Sequence, residues 1–255
     1  MTYVQLLRIR KSFVIFGIII GTLLLLGIVT SHWPGAEIDT GSGPHKIPLS
    51  GLLFFSAYCG IAFATAIGTS LNRENDGVEM VWTKPISRER LAFLYVLCDV
   101  AAIVVATALA LAAVFIGMAS VGFLKYLYVD PNALKVATLG LGVAFMWYGM
   151  LQALSFWQKG GRGGMMIGIS WGAAFILMAF AAGTRGNPAL HGLFTFINIF
   201  NPLAYFGGYG VSSHSSSGQI LSLVPIDTWA RAALTVGFGV VFSAIAILGW
   251  KRVEA

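Results

Sequence analysis

Six long runs of apolar residues decide what this chain can fold into. They cover about residues 12–30, 49–71, 91–118, 133–157, 164–183 and 229–250. A helix needs about 20 mostly apolar residues to cross the hydrocarbon core of a bilayer, and each run meets that length. The third is long enough to tilt or to project beyond the lipid. Composition agrees, because 57% of the 255 residues are hydrophobic and only 10% are charged. A soluble domain carries roughly 25% charged residues. Backbone polar groups must be satisfied inside lipid, so spanning segments are helices or a closed barrel. Barrel strands are short and alternate in polarity, and these runs do neither. The expectation is an all-α membrane protein of six transmembrane helices, forming a single domain over residues 1–255.

The first run follows "LLRIRK" and is longer than the core of a cleavable signal, and "SHWPGAE" after it is a poor cleavage site. It is read as a retained span. The net charge of +6 does not point to nucleic acid, since the basic residues sit at the ends of apolar runs. Their placement instead predicts orientation. One set of loops holds Arg8, Arg10, Lys11, Arg73, Lys84, Arg88, Arg90, Lys159, Arg162, Lys251 and Arg252, eleven in all. The other holds five: Lys46, Lys125, Lys135, Arg185 and Arg231. Both termini and the 72–90 loop are therefore expected in the cytoplasm. The four histidines (His32, His45, His191 and His214) would face outside.

Local patterns add detail. "TYVQLLRIRK" places Tyr3, Leu6 and Leu7 opposite Arg8 and Lys11, as in a helix lying in the cytoplasmic interface; an ordinary basic flank is the alternative. Small residues recur at four-residue spacing at Gly17 and Gly21, at Gly60, Ala64 and Gly68, and at Gly168 and Gly172. That spacing lets a second backbone approach closely, within one subunit or, for Gly17, Gly21, Gly168 and Gly172, across a dimer seam. Segment 184–228 contains "HGLFTFINIFNPLAYFGGYG", apolar and aromatic but broken by Pro202, Gly207 and Gly208. Short helices re-entering the outer leaflet are expected there, before the last span.

Catalytic signatures are missing from the sequence. "GGRGG" at 160–164 lacks the Lys and the Ser or Thr of a phosphate loop, and neither H-E-x-x-H nor G-x-S-x-G occurs. Cys59 and Cys98 lie in or beside apolar runs and read as small buried hydrophobes. Asp99 is the one acid inside a run. It is either a functional group or an acid near the interface, hydrogen-bonded to a neighbouring helix or to water. The histidines, with Glu37 and Asp39, match no compact metal-ligand spacing, so no metal is assigned.

The loop "LNRENDGVEMVWTKPISRERL" (71–91) stands apart. Four basic and four acidic residues crowd between two apolar runs. Glu74, Asp76 and Glu79 can share one side of a short helix, with Val78, Val81 and Trp82 elsewhere on its surface. Pro85 would end it, and Ser87 can cap the next helix, with Arg88 and Arg90 in its first turns. The plain alternative is a solvated loop whose charges set topology.

This loop resembles the corresponding loop of ABC-2 type transporter permeases, in which an acidic residue, a glycine and a later Pro-hydrophobic-Ser-Arg are common. Here those are Glu74, Gly77 and Pro85-Ile86-Ser87-Arg88. "NPLAY" at 201–205, before the last span, is also similar to the family, as are the length and the six-span layout. The resemblance implies the permease subunit of an ABC exporter in a bacterial or archaeal cytoplasmic (inner) membrane. It implies as partners a second permease, alike or paralogous, and two separate cytoplasmic ATPase subunits, which would bind ATP and Mg; this chain would hold no cofactor and would not itself be an enzyme. Residues Glu74, Asp76, Gly77, Glu79, Trp82, Pro85, Ser87 and Arg88 would form the coupling helix seated in the ATPase. Asn201, Pro202 and Tyr205 would belong to the outer gate. Two other functions compete: a membrane adaptor or sensor that transports nothing, and an intramembrane enzyme built on Asp99 or the histidines.

Overall fold

In a computed structural model of the chain, residues 2–31, 46–69, 88–155, 162–184, 186–206 and 226–252 are described. They form seven α-helices: α1 (Thr2–Ser31), α2 (Leu49–Ile67), α3 (Arg88–Ser120), α4 (Ala133–Ser155), α5 (Arg162–Gly183), α6 (Pro188–Asn198) and α7 (Thr228–Arg252). All but α6 are long and apolar enough to cross a membrane. The six expected spans thus stand as six helices, and the architecture is that of a multi-pass membrane protein. The one sheet among the described residues is a two-residue parallel pair, Ile47–Pro48 (β1) beside Leu127–Tyr128 (β2).

The ends of the helices follow local chemistry. Gly122 adopts φ 75° just after α3, a left-handed conformation that costs glycine little. Asn187 caps α6 with its side-chain oxygen, and Pro188 occupies the first turn, where its missing N–H is no loss. The carboxylate of Asp227 accepts from the Trp229 N–H at the start of α7 (2.9 Å). One expectation differs. Residues 2–31 form one continuous helix, so the amphipathic N-terminal stretch is the first turns of α1 rather than a separate interfacial helix. Arg, Lys and Leu are good helix formers, and no Gly or Pro interrupts the passage from Tyr3 to Phe16.

The core forms around α4. Of its apolar span 61% is buried, against 6% for α1. Trp147, Tyr148, Met146, Leu151 and Gln152 of α4 are fully buried. Helix α7 lies along one side of α4, at glycines rather than at large side chains. A Cβ on Gly149 would sit 2.8 Å from the Gly239 carbonyl oxygen, and one on Gly142 would strike Thr235 Oγ1. On the other side, Gly140 abuts Ala57 of α2. In α2 the small residues pack inside the chain: Gly60 meets Thr107 of α3, Gly68 meets Leu151, and Ala64 is wholly buried. Lipid tails are as apolar as Leu, so backbone approach and dense packing, rather than burial from water, hold such helices together.

We call the end of the bundle where α1 begins proximal and the other end distal. At the distal end Asp130 ties two helices together. Its Oδ1 accepts from the Ser50 N–H at the start of α2 (2.8 Å) and its Oδ2 from the Asn132 N–H before α4 (3.2 Å). Burial works against the charged form, but the hydrogen bonds from Ser50 and Asn132 together outweigh it and lower the Asp130 pKa from the ordinary 3.8. A lowered carboxylate pKa stabilises the fold fully above the unfolded-state value, and the stabilisation is lost as pH falls through the folded value. Asp130→Ala should therefore lower the melting temperature at pH 7. The deficit relative to the wild type should shrink as pH falls below 3.8. A deficit that is the same at both pH values would mean that the charge contributes nothing.

Candidate functional site

The distal half of the bundle contains a chain reversal. After α5 the backbone turns through the Asn187 N–H to the Thr184 carbonyl (2.9 Å) and enters α6. Polar side chains then clip α6 back onto α5. His191 Nδ1 lies 2.9 Å from the Ala181 carbonyl. Asn198 Nδ2 donates to the Leu177 and Phe194 carbonyls (3.0 and 2.8 Å). Asn201 Nδ2 donates to the Ala174 carbonyl and to Asn198 Oδ1 (both 2.9 Å), and Asn201 Oδ1 accepts from the Leu203 N–H (3.2 Å). Partners on α5 fall from 181 to 174 while the donors rise from 191 to 201. The two segments are therefore antiparallel. Ala174 lies nine residues before the end of α5, so at 1.5 Å per residue Asn201 sits about 13 Å below the distal end of that helix.

At that level the chain tightens into a 3-10 turn, Pro202–Phe206, and all five residues are buried. A broken helix deep in a bundle must satisfy its own backbone. Asn201 does so with its carboxamide, and Pro202 has no N–H to satisfy. The Tyr205 hydroxyl donates to the Ile199 carbonyl (2.8 Å). Phe206 stacks on Tyr58 at 4.9 Å and meets Phe54 edge-on at 5.1 Å, both on α2. Asn201, Pro202 and Tyr205 are thus brought into one packed wedge between α2, α4 and α5. Beneath the tip of α6 lies a cavity of about 260 Å³, bounded by Met150, Ala173, Ala174, Phe196 and Asn201.

A second polar group sits in the proximal half. Asp99 of α3 is fully buried and accepts a 2.8 Å hydrogen bond from the Tyr148 hydroxyl of α4. Gln152, one turn further along α4, is also fully buried. Beside them the Thr65 hydroxyl accepts from two indoles, Trp147 Nε1 at 2.8 Å and Trp171 Nε1 at 3.3 Å, and donates to the Ile61 carbonyl (2.9 Å). The two indoles pack with centroids 4.6 Å apart. This node joins α2, α4 and α5. Asp99 is therefore bonded to a neighbouring helix, one of the two arrangements considered from sequence. Neither its partner Tyr148 nor the neighbouring Gln152, Thr65, Trp147 and Trp171 stand out in the sequence. An apolar run with a lone Tyr or Gln gives no sign of which face turns inward.

Gly17, Gly168 and Gly172 are exposed, Gly21 is half-buried, and a Cβ on any of the four would meet nothing within 4 Å. Among the described residues they take no part in close packing within the chain, unlike Gly60 and Gly68. Glu74, Asp76, Gly77, Glu79, Trp82, Pro85 and Ser87 lie outside the described residues; Arg88 is the first residue of α3. His32, His45 and His214 also lie outside them. Among the described residues no group of three His, Cys, Asp or Glu side chains could hold a metal ion, and Cys59 and Cys98 form no disulfide. No protein-family model, no curated protein and no solved structure matches this chain.

Proposed function

We propose that this chain is the transmembrane permease subunit of an ATP-driven transporter of the ABC-2 type, and that it exports its substrate. The observation that carries the reading is the reversed segment α6–Phe206: a short helix folded back on α5, ending in the buried N-P-L-A-Y turn. A packed wedge at mid-depth, held by a few side-chain hydrogen bonds, suits a gate that must seal and yield. Asn201, Pro202 and Tyr205 form its hinge and plug. Six long apolar helices support a bilayer location, and the basic-residue asymmetry supports cytoplasmic termini. The re-entrant segment would then face the outer leaflet.

The energy comes from separate ATPase subunits that bind ATP and Mg. Loop 72–90 docks on them, with Trp82 as the apolar anchor and Glu74, Asp76 and Glu79 as its charged rim. Closure of the ATPases pushes this loop and, through α3, the Asp99–Tyr148 and Thr65–Trp147–Trp171 links in the proximal half. A second permease packs against the open glycine faces of α1 and α5. An intramembrane enzyme would call for paired acids or a histidine cluster at depth. Among the described residues Asp99 is the one carboxylate buried within a long helix. An adaptor or sensor would bind a partner without raising its ATP hydrolysis.

The test is co-purification of the tagged chain with its ATPase, together with ATP hydrolysis and transport. A buried aromatic anchor is worth about 2 kcal/mol or more, a rim charge about 0 to 1 kcal/mol. Trp82→Ala should therefore reduce association by more than tenfold, an order-of-magnitude figure from that anchor energy, and Glu89→Ala much less. Glu74→Lys should be worse than Glu74→Ala, because it brings like charges together. Retention of the ATPase and of normal transport in every variant would reduce the loop to a charged connector and overturn its coupling role.

A further inference from the structure

We infer that the cleft between α1 and α3 is a binding site for one acyl chain of an anionic phospholipid. The lipid would come from the leaflet at the distal end. This site is separate from the gate and from the ATPase-facing loop, and it requires only that the helices span a bilayer.

The cleft has a volume of about 320 Å³ and apolar walls. It runs along α1 from Ile20 to Ile28 and along α3 from Ala110 to Met118, with Val121 and Phe123 beyond the end of α3 and Phe55 of α2 also lining it. At 1.5 Å per residue each wall is about 12 Å long. One leaflet of a hydrocarbon core about 30 Å thick is about 15 Å deep, so the slot covers most of it. The space exists because small residues line it. Ala110, Ala113 and Gly117 face it from α3, and Gly27 faces it from α1, where a Cβ would meet nothing within 4 Å. Leu side chains at these positions would fill the space, whereas Ala and Gly leave it open.

Charge at the mouth selects the headgroup. The slot ends at Val121 and Phe123, in the segment that leads to β2. Lys125 follows two residues later, exposed, with its ammonium 5.0 Å from the Tyr126 ring centroid. Lys46 is exposed next to β1, whose Ile47 pairs with Leu127. Two lysines thus flank one short parallel bridge that follows the Phe123 end of the slot. The nearest carboxylate in the described sequence, Asp130, is buried and occupied by Ser50 and Asn132. It does not neutralise the lysines at the surface. Exposed Leu124, Tyr128 and Val129 in the same collar suit the headgroup boundary. An apolar slot of nearly one-leaflet length, beneath a pair of exposed ammonium groups with no surface carboxylate beside them among the described residues, fits a lipid with a phosphate headgroup and a net negative charge.

The test uses the full chain in detergent, exchanged against dioleoyl phosphatidylglycerol or dioleoyl phosphatidylcholine, with bound lipid read by native mass spectrometry. The wild type should retain one phosphatidylglycerol in preference to phosphatidylcholine. Gly27→Phe fills the slot and should cut retention of both lipids by on the order of tenfold. Leu25→Phe, on the exposed side of the same turn, should leave retention as it was. Lys46→Gln and Lys125→Gln should each lower the preference for phosphatidylglycerol by about fivefold while leaving phosphatidylcholine retention unchanged. Melting curves accompany each variant, and Gly27→Leu serves as a smaller filler should the Phe variant melt early. Inorganic phosphate at millimolar concentration should not displace the lipid; displacement would mean that the lysines bind free phosphate instead. Equal retention by Gly27→Phe, Gly27→Leu and the wild type would overturn the proposal, leaving only unselective boundary lipid. So would a headgroup preference indifferent to both lysines.

Discussion

Gly149→Leu should prevent the bundle from forming a stable α4–α7 pair. The Cβ alone would stand 2.8 Å from the Gly239 carbonyl oxygen, 3.1 Å from Ser243 Oγ and 3.2 Å from Phe242 Cβ. The first of these is backbone and cannot rotate away. Inserting a side chain into a packed core costs typically about 1–3 kcal/mol and occasionally more. Leu adds three carbons beyond the Cβ, so the upper end, about 3 kcal/mol, is the expected loss. The measurement is thermal unfolding of the detergent-solubilised protein. Gly17→Leu and Gly172→Leu supply the contrast, since nothing lies within 4 Å of a Cβ at either site. They should melt like the wild type. If a second permease packs on those faces, they should also shift the protein toward the monomer in size-exclusion chromatography. A wild-type melting curve for Gly149→Leu would mean that α4 and α7 are not held at glycine distance. An unchanged oligomer size for both outward variants would remove the seam.

Asn201→Ala should unlock the reversed segment. It deletes two donated bonds, to the Ala174 carbonyl and to Asn198 Oδ1, and one accepted bond from the Leu203 N–H. Asn201 is 4% exposed, so water does not replace them. Each buried polar group left unsatisfied costs about 1–3 kcal/mol. Measured side-chain hydrogen bonds between membrane helices average only about 0.6 kcal/mol. A net loss of about 2 kcal/mol lies between those limits. It should be local: protection of the 188–206 amides from hydrogen exchange should fall well before that of α4. If the segment is the outer gate, substrate leak should rise while ATPase association stays the same. Asn201→Ala with wild-type exchange in 188–206 would show that the packing of Phe206 against Tyr58 and Phe54 holds the segment without Asn201.

Much of this molecule is written in its runs. The six long helices follow from run length and hydropathy alone, because a backbone in lipid has almost no alternative to a helix. The break at Pro202 was also legible, since proline and paired glycines cannot continue a straight span. Which faces meet was not. Four-residue spacing of small residues marked Gly17 and Gly21 and the Gly60, Ala64 and Gly68 series alike, yet among the described residues the first pair meets nothing within 4 Å while Gly60 and Gly68 pack on α3 and α4. The close α4–α7 contact uses Gly142 and Gly149, seven residues apart, which also share a face after two turns. Within a uniformly apolar helix no polar stripe separates inside from outside, so the sequence carries almost no information on rotation about the axis. Asp99 could be seen as an acid in a span, but its Tyr148 partner lies 49 residues away. Nothing in the sequence links Asp130 to Ser50, 80 residues off, which the fold brings to its carboxylate. The sequence by itself determined which segments are helices long and apolar enough to span. Only the tertiary structure decided which of their faces touch, because that choice rests on the fit of small residues and single hydrogen bonds between distant segments.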